Sequence, residues 1–203
     1  MSKINGGYLY MAIKRFAIKG YGQVELNNVA FRRDGRIEAQ SAIGDGFKDD
    51  IVENGMIVAI DNSTRTVAPC KTDSDMYGLV YSAEVGYDER KIGLKTFAIK
   101  KEANGEYVYP RIGYLSVGDK YTTNCFAFDP TGFTEGTGSD EEKLLAAVNK
   151  AGRDDLYAGT TSTGSDVPVL TATKPTAGYA LKVVKATTMP DGSDALQFIV
   201  VKA

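Results

Sequence analysis

Histidine and tryptophan are both absent from this chain of 203 residues. Histidine titrates nearest neutral pH and is the commonest metal ligand. Without it, most hydrolase triads, most zinc sites and most general acid–base schemes are excluded. Cysteine is scarce: Cys70 and Cys125 are the only two, too few for the disulfide framework of a small exported domain. Each reads as a half-buried small hydrophobe, a reduced thiol made in a cytosol. No run of about 18 apolar residues occurs, so no membrane-spanning helix is expected. The opening MSKINGGYLYMAIKRF lacks the apolar core and small-residue cleavage site of a signal peptide. Excess charge is missing too. A net charge of −2 offers no surface for duplex nucleic acid. Lys14-Arg15 and Arg32-Arg33 are the only local basic pairs, and both read as solvated faces of strands.

What remains is dense in β-branched residues, glycine and tyrosine, punctuated by turn dipeptides. That composition suits a rigid β scaffold whose work is to bind. The length allows one large domain or two small ones, either with a real core. A separate clue lies at Gly6-Gly7. Their codons can spell a bacterial ribosome-binding sequence a few bases ahead of Met11, so Met1 and Met11 both stand as candidate starts.

Residues 12–43 read as strands, with Phe16, Ile18, Val24, Leu26, Val29 and Phe31 near alternate positions and Asp34-Gly35 as a hairpin turn. Residues 44–50 form a polar joint. Residues 51–129 read as a compact β module. Asn54-Gly55 turns the chain into the apolar run Met56–Ile60, and Asp61–Thr64 turns it back into Arg65–Ala68. Shorter strands are expected at Tyr77–Ser82, Leu94–Lys100, Tyr107–Tyr109 and Tyr121–Phe128, with Asn104-Gly105 as a hairpin and Pro110 at a strand end. Residues 130–139 read as a loop. Ser139 then caps a helix over 140–151, with Glu142 completing a capping box, Leu144, Leu145 and Val148 as its apolar stripe, and Gly152 as its stop. After a polar stretch over 159–166, a closing hairpin spans 178–203, where Leu196, Phe198 and Val200 alternate. The expected fold is mainly β: a small sandwich or barrel-like module with extra N-terminal strands, one short helix and a C-terminal hairpin. The expected organisation is an N-terminal arm over 1–20 and a body over 21–203.

Candidate sites are few. Asp45, Asp49, Asp50 and Glu53 lack the fixed ligand positions of an EF-hand loop and read as a solvated joint. Gly86, Gly93, Gly113 and Gly118 form no phosphate cradle. No serine or cysteine has an adjacent base, so no enzyme activity, metal or cofactor is expected. Tyr77, Tyr81, Tyr87, Tyr107, Tyr109 and Tyr114 cluster in the middle region. They read first as half-buried sheet residues and second as an interface.

Four phrases stand out as a set: NGMIVAIDNSTRTVAP (54–69), YGLVYSAE (77–84), PRIGYLSVGDKYTTNCFAFD (110–129) and GYALKVVKATTMPDGSDALQFIVVKA (178–203). Together they resemble virion structural proteins of tailed bacteriophages, most closely the head decoration, or cement, class. The resemblance covers about half the chain. It implies a protein that binds the outer surface of the mature head and holds neighbouring major capsid subunits together. It also implies a homo-oligomer, with a trimer favoured, located in the virion after assembly in the bacterial cytoplasm. Under that reading Tyr8, Leu9, Tyr10, Ile13 and Phe16 form a capsid-contact arm that adds a strand to a partner's sheet. A tail-tube or head–tail completion protein, with residues 130–166 stapling its subunits, is the alternative. A carbohydrate- or host-surface-binding module is the more distant one.

Overall fold

The computed structural model describes residues 13–34, 39–74, 76–82, 98–103, 106–150, 156–160 and 166–203. It is mainly β, as the sequence predicts. In chain order the elements are β1 (Lys14–Arg15), β2 (Val24–Asn28), the helical turn α1 (Ala30–Arg33), β3 (Ala39–Gln40), β4 (Ala42–Ile43), β5 (Ile51–Glu53) and β6 (Ile57–Asp61). Next come β7 (Thr66–Pro69), β8 (Tyr77–Val80), β9 (Ala98–Lys100), β10 (Glu102–Ala103), β11 (Glu106–Tyr107), β12 (Arg111–Tyr114), β13 (Lys120–Thr123) and β14 (Ala127–Phe128). The chain ends with α2 (Asp140–Val148), β15 (Tyr157–Gly159), β16 (Val169–Thr171), β17 (Ala180–Thr188) and β18 (Asp194–Lys202).

Two larger sheets organise these elements, and both roll up by the same device. The six-stranded sheet runs β3-β12-β8-β6-β7-β4. Its two outermost strands are successive halves of one segment separated only by Ser41. The first half pairs antiparallel with β12 and the second parallel with β7, so the sheet closes through that segment. Ile43, Val58, Ile60, Val67, Val80 and Ile112 fill its core. The eight-stranded sheet runs β1-β14-β16-β15-β17-β18-β13-β2. Here β13 and β14 are two halves of one segment, the first on β18 and the second on β16, and the sheet curls accordingly. Curling limits free edges, which otherwise invite unwanted pairing. Two small ladders, β5–β9 and β10–β11, complete the strands among the described residues.

The sheets share a core. Ile57, Leu79 and Cys70 from the first side cluster with Tyr121, Phe126, Leu181 and Phe198 from the second. Tyr77 meets the Tyr179 ring edge-on at 5.4 Å across that junction. Leu196, Phe198 and Val200 are all fully buried, as their alternation predicts. The helix caps as expected: Ser139 accepts from the Glu142 N–H while the Glu142 carboxylate accepts from the Ser139 N–H. Leu144 is the fully buried residue of the stripe. The helix ends at Val148 with Asn149 as its cap, three residues short of the expected end.

Other expectations need correction. The module expected over 51–129 divides, because β13 and β14 belong to the eight-stranded sheet. Val29–Phe31 is not a strand: Ala30 begins a helical turn whose first N–H donates to buried Asp119 at 2.7 Å. Asp119 also accepts from the Ser116 N–H at 2.8 Å, so one carboxylate ties two turns together. That cap, supplied from 89 positions away, overrides the local alternation. Arg32 and Arg33 are exposed, but on this turn rather than on a strand. Residues 35, 87, 94–97, 104–105 and 152, on which parts of the reading fell, lie outside the described residues.

Candidate functional site at the root of the N-terminal arm

The arm expected over residues 1–20 joins the body earlier than that. β1 pairs antiparallel with β14, Lys14 opposite Phe128 and Arg15 opposite Ala127, and the Phe16 N–H donates to the Phe126 carbonyl at 2.9 Å. Phe16 is buried and stacks on Phe126 with ring centroids 4.6 Å apart. It is therefore a core residue and cannot belong to a contact surface. The physical reason is alternation: in an extended segment the residue after outward-facing Arg15 turns inward. Ile13 remains 45% exposed. Tyr8, Leu9 and Tyr10 lie outside the described residues.

Three anchors hold this root. Lys14 Nζ reaches Asp140 at 3.2 Å and Glu141 at 2.9 Å, in the first turn of α2. Both hydrogen bonds raise the lysine's pKa, Glu141 most. Arg15 grips Glu53 with two parallel bonds, Nη1–Oε1 at 2.9 Å and Nη2–Oε2 at 2.5 Å. Burial is the largest single influence and pulls the guanidinium's pKa down, but the Glu53 hydrogen bond together with nearby negative charge raises it by more, and the net shift is upward. Glu53 also accepts a short hydrogen bond from the Gly22 N–H. Gly22 sits so close to the body that a Cβ would meet the Asn54 carbonyl oxygen at 2.6 Å and Cys125 at 2.8 Å.

The third anchor is polar and buried. The Gln23 N–H donates to Asn124 Oδ1 at 2.8 Å, and Thr123 Oγ1 donates to the Gln23 carbonyl at 2.6 Å. Gln23 Nε2 donates to Asp191 at 2.8 Å, which links the root to the closing hairpin's turn. Ser193 and then Gln23 hold the Asp191 carboxyl below its ordinary pKa. Asn124 interrupts the segment between β13 and β14, and its side chain satisfies the backbone that the ladder leaves out.

Sequence reasoning missed Glu53, reading it with Asp45, Asp49 and Asp50 as solvated. Glu53 is 4% exposed. Its one signal was position, at the end of an apolar strand ahead of Asn54-Gly55. Asp45 is indeed exposed and bonds Lys101 at 2.5 Å, while Asp49 and Asp50 are exposed at positive φ. No group of three or more metal-ligating side chains occurs among the described residues. Asp61 behaves as the turn residue expected: its Oδ1 accepts from the Ser63 hydroxyl at 2.6 Å and the Ser63 N–H at 2.8 Å. Both cysteines are free and buried. Of the clustered tyrosines, Tyr77 and Tyr81 are buried, Tyr114 is half-buried and Tyr109 is 58% exposed. Tyr109 borders an open groove at the rim of the six-stranded sheet, beside Arg111, Arg65 and the Asp45–Lys101 pair.

Fold and root together define a β-rich protein of two curled sheets, with its N-terminal strand bolted to one sheet's edge. No family model, curated protein or solved structure matches the chain.

Proposed function

We propose that this protein is a structural component of a tailed-bacteriophage virion: a decoration protein that binds the outside of the mature head and turns over nothing. The carrying observation is the placement of β1. It is an outer strand of the eight-stranded sheet, anchored through Lys14, Arg15 and Phe16, with Ile13 exposed and Tyr8-Leu9-Tyr10 directly ahead in sequence. An anchored strand preceded by an apolar stretch suits attachment to a partner through main-chain pairing, which needs little specific chemistry. The phrases that resemble decoration proteins supply the partner, the major capsid protein, and favour a trimer.

The mechanism is mass action. A protein that binds only the expanded lattice stabilises that lattice against the alternatives. Each contact is modest, and repetition over the shell supplies the strength. The tail-tube alternative asks residues 130–166 to project as a staple. Over Asp140–Val148 that stretch is a helix packed on β17, with Leu144 fully buried, which weighs toward the head reading.

The test is co-production with a tailed-bacteriophage major capsid protein that assembles into shells, followed by gradient sedimentation and electron microscopy of the particles. Co-sedimentation with shells and added density on their outer surface is the expected result. Recovery only as a free species at the top of the gradient, or density confined to the tail, overturns the proposal. A truncation meant to remove the arm should stop ahead of Ile13, since Phe16 belongs to the core.

A further inference from the structure

The closure of the six-stranded sheet leaves a split at one end. Its closing segment pairs with β12 only as far as Gln40 opposite Arg111. Ahead of Arg111 stands Pro110, which has no N–H to extend that ladder. After Ser41 the segment turns to β7 instead. There the Ala42 N–H donates to the Arg65 carbonyl at 2.9 Å and the Gly44 N–H to the Val67 carbonyl at 2.8 Å. The two strands therefore part, and a groove of about 1080 Å³ opens, with residues 42–45 on one wall and 109–111 on the other.

Strand β4 is open on its second edge. Successive N–H groups of a strand point in opposite directions, so the Ile43 N–H and carbonyl point away from β7. Among the described residues β7 is the only strand neighbour of β4. The lining is also net positive: Arg65, Lys101 and Arg111 against Asp45 and Asp61 leave an excess of one, in a chain of net charge −2. Asp45 is engaged by Lys101, and Asp61 by Ser63 and Thr64 of its own turn. Arg65 is exposed, its guanidinium forms no ion pair among the described residues, and its backbone is left-handed at φ 55°. Glycine adopts that conformation freely, so the turn itself does not require an arginine.

We propose that this groove receives an extended acidic segment of a partner protein, which pairs with the open edge of β4 at Ile43 and sets carboxylates against Arg65 and Arg111. Strand addition draws its affinity from main-chain bonds, and a guanidinium fork binds a carboxylate two bonds at a time. Alternate side chains of a strand share a face, so the fitting segment carries Asp or Glu at every second position. Tyr109, 58% exposed on the lining, offers a ring to the incoming chain. The inference goes beyond the virion reading: there the protein donates a strand, and here it accepts one.

Fluorescence anisotropy with the purified full-length chain, without particles, tests it. The probe is a labelled seven-residue peptide that alternates aspartate and valine, with aspartate at both ends. It should bind at least about tenfold more tightly than its asparagine counterpart or a version whose central valine is proline. Arg65→Gly suits the left-handed backbone and keeps the turn; it and Arg111→Gln should each weaken the acidic peptide at least about fivefold. Lys150→Gln, on the distant helix α2, should leave binding unchanged. No binding of the acidic peptide, or binding that neither arginine change weakens, overturns the proposal. Equal binding of the proline version reduces the site to charge attraction and overturns it too. Arginine-dependent binding of oligothymidine in place of the peptide assigns the groove to nucleic acid, which is equally fatal. Because no shell is present, each result leaves the sedimentation test of the virion reading intact.

Discussion

Arg15 and Glu53, 38 positions apart, form a two-pronged ion pair that joins the N-terminal strand to the small β5–β9 ladder. The two ends are unequal. The Arg15 side chain is 39% exposed while that of Glu53 is 5% exposed. Removing the arginine strands a buried carboxylate, whereas neutralising the glutamate leaves an acceptor for Gly22. Arg15→Met is therefore expected to destabilise the fold by about 2–3 kcal/mol, below the full cost of breaking a buried pair because water reaches the guanidinium. Glu53→Gln should cost about 1 kcal/mol. Urea unfolding of the two variants checks the order, and equal losses would mean the carboxylate is not effectively buried.

Asp61 gives the chain an acid-sensitive turn. Hydrogen bonds from the Ser63 and Thr64 side chains, with their backbone N–H groups, lower its pKa from 3.8 to about 2. A carboxylate depressed in the folded state contributes stability above its unfolded pKa and loses that contribution as pH falls through the folded one. The window is thus from about pH 4 down to about pH 2. Asp61→Asn keeps an acceptor but cannot titrate. Its melting temperature should fall less steeply than the parent's across that window, as thermal unfolding at stepped pH will show.

Gly55 and Gly118 separate backbone strain from packing. Both have positive φ, 89° and 96°. A Cβ at Gly55 would meet Thr123 Oγ1 at 2.1 Å and Cys125 Cβ at 2.8 Å, while at Gly118 it meets nothing within 4 Å. Gly118→Ala should cost about 1 kcal/mol, the left-handed penalty alone. Gly55→Ala should cost about 3 kcal/mol, because overpacking is added to it. Denaturant midpoints measured side by side test the difference.

Neither thiol should react in the native protein. Burial pushes the Cys125 pKa up to about 12, partly offset by Arg15, and burial alone raises Cys70 further. Because the thiolate is the nucleophile, a disulfide reagent at pH 8 should label no cysteine in the folded chain and both after denaturation. Labelling of one thiol in native buffer would reveal local opening around it.

Much of the fold was legible in local patterns. The Ser139–Glu142 capping box, the Asp61–Thr64 turn and the alternation of Leu196, Phe198 and Val200 appear as the sequence predicts. The two-residue strands β3 and β4 were not legible as separate elements, because their pairing partners lie far away in sequence. The anchored root was half legible. Lys14 and Arg15 do lie on a strand, but the buried glutamate that Arg15 grips looked like one more solvated charge.

By itself the sequence determined the class of structure, the turns, the helix cap and the exclusion of histidine chemistry. These depend on side-chain preferences for φ and ψ and on a period of two, which act within a few residues. Only the tertiary structure decided that one segment closes the six-stranded sheet and another curls the eight-stranded one, that Asp119 caps Ala30 and that Phe16 is core rather than arm. Those outcomes depend on which distant groups meet once the sheets curl, and desolvation then selects which charges must be paired.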